Sequence, residues 1–269
     1  MLKLRHAELF GQLKNQLAIL HAQVILLPGY PAQVVGADSL WEKKNRPLFK
    51  ELRELLETLC TGPRRCNYCE DSAADEIEHT YPKKFYPERA FSWQNYLFAC
   101  GPCNGSNKRD QFAVFAPNGD VIEIKRGKHD AVLPPLTGDI VFIDPRIDDP
   151  FGMMELDPAT GLFVPLGNPN DINYKRADYT ITILGLNKRD YLSRARRNAY
   201  SSFVNCVAAY IREKNAHAPK ADLDKRKHDL IDAPHQSVFA EIGRLASLGV
   251  LNEDYWHQAS ELWDIYAPF

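Results

Sequence analysis

The sequence predicts an α+β protein in which a short metal-held segment lies between N-terminal helices and a C-terminal region of strands and helices. Three observations carry this prediction. Apolar residues recur at helical spacing near both ends of the chain, two strand pairs flank turn sequences in the middle, and two Cys-x-x-Cys pairs lie between residues 66 and 103. With 269 residues, 45% of them hydrophobic and 25% charged, the chain is long enough and apolar enough to bury a core.

The first 60 residues are predicted to form an N-terminal helical region. Apolar residues recur every three or four positions from Leu9 to Val24, and Pro28-Gly29 ends this pattern. A second pattern starts near Asn45, whose side chain suits a helix N-cap, and places Leu48, Leu52, Leu55 and Leu59 on one face. We interpret both helices as scaffold, although an amphipathic face can also receive a partner.

Residues 61–112 are predicted to form a core held by zinc. The pairs Cys66/Cys69 and Cys100/Cys103 have the spacing of a four-thiolate zinc site. Such a site leaves no coordination position for water, so the zinc would be structural and would contribute folding free energy. Two redox-active pairs would instead require a thioredoxin-like strand–helix context, which the flanking sequence lacks.

Between the two cysteine pairs, the sequence predicts a strand at Glu76–His79 and a second strand at Tyr96–Ala99. Pro102 suits the first turn of a helix that continues through Asn104 to Asp110. The predicted order is therefore strand, long loop, strand, helix.

Residues 113–269 are predicted to be hairpins followed by helices. Asn118-Gly119 separates two short apolar runs, and a second turn sequence ending in Gly161 separates two more. An isolated strand is predicted at 140–143, and the pattern turns helical from about Asp171. Asn187 is predicted to cap the clearest helix, and Pro234 is predicted to open another that Gly249 ends.

The phrases IEHTYPK, WQNYLFAC and GPCNGSNK occur in this order between and after the cysteines. Together they resemble the three motif blocks of the HNH endonucleases, which belong to the ββα-metal or His-Me finger superfamily. The resemblance covers roughly fifty residues. It implies a ββα-metal core, hydrolysis of nucleic-acid phosphodiester bonds, and a divalent cation, Mg²⁺ or Mn²⁺, in addition to the structural Zn²⁺.

The same resemblance implies a role for each polar residue at the motif positions. His79 would be the general base that activates water, and Asn95 would orient His79. Glu78 and Asn104 would hold the divalent cation, and Lys108 would contact phosphate. The sequence departs from the family pattern in two places: Glu78 stands where Asp is usual, and the Asn-x-x-Lys spacing is stretched. The second departure leaves open whether Lys108 or Asn107 takes the phosphate-contacting position.

Two further phrases, CNYCEDSAADEIEH and FIDPRIDDPF, resemble the HNH subunit of Septu-type and retron-associated anti-phage systems. That resemblance implies a nuclease effector that works with an SMC/ABC-type ATPase partner. A net charge of −2 is weak for a protein that grips a polyanion by itself, which also favours assembly with a partner. The terminal regions would then be the docking surfaces.

DNA is the expected substrate, but RNA, including tRNA, fits the same chemistry. A non-catalytic zinc-binding interaction module is a third interpretation. A basic stretch containing Arg189, Arg194, Arg196 and Arg197 could contact phosphates or could be a solvated helix face. No apolar run reaches membrane-span length and the N-terminus lacks the apolar segment of a signal peptide, so we expect a cytoplasmic protein.

Overall fold

The structure, a computed structural model, describes residues 1–43, 46–251 and 256–266. Within these residues three α-helices precede the strands and four follow them, and the α+β prediction is confirmed. The helices are α1 (Gly11–Ile25), α2 (Gly29–Glu42), α3 (Arg46–Glu57), α4 (Ile172–Ile183), α5 (Asp190–Asn215), α6 (Lys220–Ile231) and α7 (Gln236–Ser247). The strands are β1 (Glu76–His79), β2 (Tyr96–Ala99), β3 (Ala113–Phe115), β4 (Val121–Glu123), β5 (Met154–Asp157) and β6 (Leu162–Pro165).

The strands form antiparallel pairs, β1 with β2, β3 with β4 and β5 with β6. Both predicted hairpin turns are present, and each uses a glycine with positive φ, Gly119 at +81° and Gly161 at +72°. A Cβ atom at position 161 would lie 2.3 Å from the backbone oxygen of Ser193, so a side chain would also clash there. The predicted strand at 140–143 is wrong: Ile140 makes only a single bridge to Val114.

Helix α2 is absent from the sequence prediction, which treats Pro28-Gly29 only as a break. The structure starts a new helix at that break, with Pro28 as its N-cap and Pro31 in its first turn. Proline suits a first helical turn because the amide that it lacks would have no intrahelical acceptor there. The predicted N-cap Asn45 lies outside the described residues.

The starts of two other helices, α7 and α5, are also predicted from the sequence. Helix α7 and its terminal Gly249, with φ of +69°, agree with the prediction. The predicted cap at Asn187 is wrong, because α5 begins at Asp190 with Arg189 as its N-cap. The Asn187 side chain instead bonds both the N–H and the carbonyl of Phe163, at 3.0 and 2.8 Å, and so pins β6 to the start of α5.

The β1–β2 hairpin lies between two buried clusters. On one side Ile77 and Phe98 pack with helices α1 and α3. On the other side Leu97 and Ala99 pack with the four motif cysteines and with apolar residues of α4, α5 and α7. No helix in the described residues has both the length and the apolarity needed to cross a bilayer.

Candidate functional site

The four motif cysteines converge on one point. The Sγ atoms of Cys66, Cys69, Cys100 and Cys103 all lie within 4.8 Å of one another, and the four residues are buried. A tetrahedral zinc–thiolate site with bonds of about 2.3 Å has sulfur–sulfur edges of about 3.8 Å. The Cys69 and Cys100 sulfurs are 3.8 Å apart. The donor set and its spacing therefore fit a structural zinc ion.

Local backbone hydrogen bonds shape the two turns that carry these sulfurs. In the first turn, the amide of Glu70 donates to the Cys66 carbonyl at 3.0 Å, and Glu70 has a positive φ of 61°. In the second turn, the amides of Cys103 and Asn104 both donate to the Cys100 carbonyl at 3.0 Å. Each turn thus presents two sulfurs on the same side, as a Cys-x-x-Cys ligand pair requires.

Arg189 connects the cysteine cluster to the C-terminal region. Its guanidinium donates to the Cys103 sulfur at 3.3 Å and to the Leu184 carbonyl at 2.9 Å. Burial disfavours the charged guanidinium, but the Cys103 sulfur outweighs that effect and raises the pKa of Arg189. A fixed cation therefore lies against one of the four sulfurs.

The β1–β2 hairpin presents Glu78 and His79 on opposite faces. Alternate residues of a strand point to opposite sides, and His79 pairs with Tyr96 while Glu78 pairs with Leu97. His79 contacts Trp41 of α2, whereas Glu78 contacts Lys108 of the π-helix Pro102–Lys108 that follows β2. The strand that carries both residues thus directs them to different surroundings.

The imidazole of His79 is held by hydrogen bonding and by two aromatic rings. Its Nε2 lies 2.9 Å from the Ala90 carbonyl. A carbonyl only accepts, so Nε2 carries a proton. The ring makes edge-to-face contacts with Trp41 and Tyr96, with centroids 4.3 and 5.2 Å away, and 8% of the residue is exposed.

Asn95 closes the loop between β1 and β2. Its Oδ1 accepts the amide of Tyr81 at 2.7 Å, and its Nδ2 donates to the carbonyls of Tyr81 and Arg89, both at 3.0 Å. These bonds tie Tyr81, two residues after His79, to Arg89, the residue directly before Ala90. Asn95 therefore fixes the position of the carbonyl that receives the His79 hydrogen bond.

Glu78 and Lys108 form a buried ion pair. The Lys108 Nζ lies 2.5 Å from Glu78 Oε1 and also donates to the His79 carbonyl at 2.8 Å. Glu78 is 3% exposed and Lys108 is 0% exposed. Burial raises the pKa of Glu78, and the Lys108 ammonium opposes that rise. Lys108 therefore compensates the Glu78 charge inside the protein.

Asn104 pairs with a different acid. Its Nδ2 donates to Glu76 Oε2 at 2.7 Å, and both residues are partly exposed. The neighbouring Asn107 donates to the Pro102 carbonyl within its own helix, at 2.5 Å. The structure thus groups Glu78 with Lys108 and Asn104 with Glu76.

The basic stretch at the start of α5 does not present its arginines as one surface. Arg196 is 1% exposed, donates to the carbonyls of Gly161 and Leu186, and stacks over the Phe163 ring. Arg189 contacts Cys103, while Arg194 and Arg197 are exposed. Two of the four candidate phosphate contacts are therefore occupied inside the protein.

Several residues at the site carry no sequence signal for the contacts that they make. Trp41 lies outside the cysteine motifs, Arg189 is marked only as part of a basic stretch, and Glu76 differs from Glu78 only by its place on the strand. The phrase FIDPRIDDPF does have a structural role: its Arg146 donates to the Tyr96 carbonyl at 2.6 Å and lies over the Trp93 ring.

Comparison with known proteins identifies two similar chains. Septu protein PtuB of Bacillus thuringiensis is 31% identical over 120 residues, which are 43% of this chain and 34% of that protein. Septu protein PtuB of Bacillus mycoides (strain KBAB4) is 25% identical over 158 residues, which are 52% of this chain and 48% of that protein. No protein-family model and no solved structure matches the chain.

The chain spans between about a third and a half of the length of the curated relatives it matches. The resemblance to Septu systems predicted from CNYCEDSAADEIEH and FIDPRIDDPF is confirmed at this level. The chain is distantly similar to Septu protein PtuB.

Proposed function

We propose that this protein is a metal-dependent HNH endonuclease that hydrolyses phosphodiester bonds of DNA, and that it is the nuclease of an anti-phage defence complex. The similarity to Septu protein PtuB supports the defence role. The geometry of His79 is the observation that carries the nuclease role: the Ala90 carbonyl fixes its tautomer and Asn95 fixes the loop that supplies Ala90.

The proposed chemistry requires a base for the attacking water. His79 accepts a proton from water at Nδ1, and the resulting hydroxide attacks phosphorus as the 3′ oxygen departs. The hydrogen bond from Nε2 to the Ala90 carbonyl strengthens when the imidazole becomes positively charged, which favours the proton transfer. A neutral imidazole is suited to this role because it titrates near physiological pH.

The divalent cation that the HNH resemblance implies would stabilise negative charge on the phosphate and on the leaving oxygen. Glu78 and Asn104 have the oxygen atoms that Mg²⁺ and Mn²⁺ prefer. In this structure Glu78 pairs with Lys108 and Asn104 pairs with Glu76, so both side chains would have to exchange partners to bind a shared ion. The proposal therefore assigns no step through the cation to these two residues.

Substitution of His79 tests the nuclease proposal. We expect His79→Ala to lower cleavage of labelled duplex DNA by about a hundredfold to ten-thousandfold, because this is the range that a general base supplies. Zinc content and the circular dichroism spectrum should not change, since the cysteine cluster lies on the other face of the hairpin. His228→Ala is the matched control, because His228 is exposed on α6. Cleavage by His79→Ala at the wild-type rate would exclude the mechanism.

A non-catalytic zinc-binding interaction module is the second candidate. The burial of Glu78 against Lys108 favours this candidate. The placement of Glu78 and His79 on opposite faces of the strand also favours it. The two candidates differ in their response to Mg²⁺. The endonuclease proposal requires cleavage to stop when Mg²⁺ and Mn²⁺ are withheld from zinc-loaded protein, whereas the interaction module cleaves nothing under either condition.

The substrate and the partner are tested in the same assay. Incubation of the purified protein with labelled duplex DNA and with total RNA, with and without its co-purifying partner, separates a DNA endonuclease from an RNA or tRNA endonuclease. An SMC/ABC-type ATPase is the partner proposed from the Septu-like sequence. Mass spectrometry of proteins that co-purify with the full chain would identify it.

A further inference from the structure

The indole of Trp41 lies against the imidazole of His79. The two ring centroids are 4.3 Å apart and the rings meet at 64°. Trp41 belongs to the last turn of α2. Helix α3 lies between α2 and the first cysteine pair in the sequence. A residue outside the cysteine-held segment, residues 61–112, is therefore in direct contact with His79, the candidate base.

Helix α2 is attached along its length to the loop between His79 and Asn95. Near its start, the Tyr30 hydroxyl donates to the Phe85 carbonyl at 3.0 Å. In its third turn, Asp38 forms an ion pair with Lys83. Trp41, one helical turn beyond Asp38, makes the third contact, with the Phe91 ring at a centroid distance of 6.0 Å. Because all three contacts reach the same loop, α2 and the loop that supplies the Ala90 carbonyl are held as one unit.

We propose that Trp41 is a positioning residue for His79. This inference rests on the proposed nuclease function and adds a residue to its site. The hydrogen bond from Nε2 to the Ala90 carbonyl fixes one atom of the ring, and ring contacts limit the orientation of the rest of the imidazole. Trp41 and Tyr96 supply these contacts, and Tyr96 is itself anchored by a 2.8 Å hydrogen bond from its hydroxyl to the same Ala90 carbonyl.

A purely structural role for Trp41 is the alternative, because its ring also contacts Phe49 with centroids 4.9 Å apart. A covering role is a second alternative, because Trp41 lies over a residue that is only 8% exposed.

Substitutions of Trp41 separate these three roles. We expect Trp41→Leu to lower kcat about tenfold to a hundredfold with little change in KM, because the base is displaced while substrate contacts remain. Trp41→Phe should recover most of the lost kcat, since it restores an aromatic face. Trp263→Leu is the matched control: Trp263 packs on Phe239 in the buried cluster on the opposite face of the hairpin from His79, and its loss should leave kcat unchanged.

A measurement that does not depend on cleavage completes the test. The ring protons of His79 lie in the ring current of Trp41, so their NMR signals, assigned by their loss in His79→Ala, should be displaced in the wild type. They should move towards ordinary histidine positions in Trp41→Leu but not in Trp263→Leu.

Three outcomes would overturn the inference: a rise in kcat for Trp41→Leu, which would make Trp41 a cover; an unchanged kcat; or unmoved His79 signals. If the wild-type protein cleaves no nucleic acid, the proposed function fails, and the NMR comparison still decides whether Trp41 orients the ring.

Discussion

Lys108 shows how the surroundings of one side chain decide its role. At the sequence level it resembles a phosphate-contacting lysine, but its ammonium is fully buried between Glu78 and the His79 carbonyl. A buried ion pair is costly to break from one side, because the remaining charge keeps its desolvation penalty without its partner. Lys108 therefore stabilises the hairpin by compensating Glu78.

This role predicts a large effect on stability. Lys108→Ala should lower the free energy of unfolding by about 3–5 kcal/mol, because it leaves the Glu78 carboxylate buried without a cation. Combining Lys108→Met with Glu78→Gln should recover much of the loss, since both charges are then absent. Urea denaturation of the single and double variants measures the coupling between the two positions.

Lys84 is the matched control for this experiment. It forms an ion pair with Asp110 at 3.6 Å, with side chains that are 42% and 56% exposed. Lys84→Ala should therefore change the free energy of unfolding by less than about 1 kcal/mol. Equal effects at the two lysines would show that the Lys108–Glu78 pair does not have the stabilising role inferred here.

At the residue scale, the sequence predicts which side chains belong to the site better than it predicts which partners each of them contacts. The four cysteines can be assigned to one cluster from their spacing alone, because Cys-x-x-Cys turns have few conformations. The pairing of Asn104 with Glu76 instead of Glu78 could not be predicted, because both acids lie on one face of the strand and the choice depends on how the following helix packs. The assigned catalytic and cation-binding roles stay predictions.

At the scale of elements, the start of α5 completes the cysteine cluster. Arg189, the N-cap of α5, donates to the Cys103 sulfur at 3.3 Å. A four-thiolate zinc site carries a net negative charge, and a fixed guanidinium beside it reduces the cost of burying that charge. This contact brings a residue 86 positions after Cys103 in the sequence beside the cysteine cluster.

Removing that guanidinium should weaken zinc binding. We expect Arg189→Ala to lower zinc affinity about tenfold, at the lower end of the range seen when groups that support metal ligands are removed. Competition with a chromophoric zinc chelator measures this effect directly. Arg194→Ala, an exposed substitution on the same helix, should leave zinc affinity unchanged. Equal zinc release by the two variants would contradict the role of Arg189.

Hairpins were the most predictable elements and α2 was the least predictable. The turns at Gly119 and Gly161 depend on local backbone conformation, so the sequence beside them is sufficient. Helix α2 buries little besides Ala37 and lacks a regular apolar face, so periodicity does not reveal it. Its position follows from contacts with the loop after β1, which are distant in sequence.

At the scale of the whole molecule, the cysteine-held segment does not have a core of its own. Tyr68, Leu97 and the four cysteines belong to one buried cluster with Phe203, Val207 and Phe239 of the C-terminal helices. The opposite face of the hairpin packs with the N-terminal helices. The hairpin is therefore covered from both sides by segments that the sequence analysis treats as separate regions.

This arrangement predicts that residues 61–112 will not fold alone. A fragment of that range would expose the apolar faces that α3, α5 and α7 cover, and zinc binding would have to offset that cost. We expect such a fragment to bind zinc at least about tenfold more weakly than the full chain and to lack dispersed amide signals in NMR spectra. A fragment with native-like dispersion and full zinc affinity would contradict this layout.

Composition predicted the class of the molecule but not this layout. A hydrophobic content of 45% is enough to expect a buried core, yet it says nothing about which segments share it. The sequence boundaries at residues 60 and 112 follow changes in local pattern. Burial depends on contacts between segments far apart along the chain, which no local pattern records.

The acceptor for both His79 and the Tyr96 hydroxyl is a main-chain oxygen, that of Ala90. Any small residue at position 90 would supply the same oxygen, so amino-acid identity there should drift during evolution. The number of residues from 79 to 90 should instead stay constant, because an insertion or deletion would move that oxygen away from the imidazole. A search for comparable sites should therefore keep the number of residues in this loop fixed and leave their amino-acid identities open.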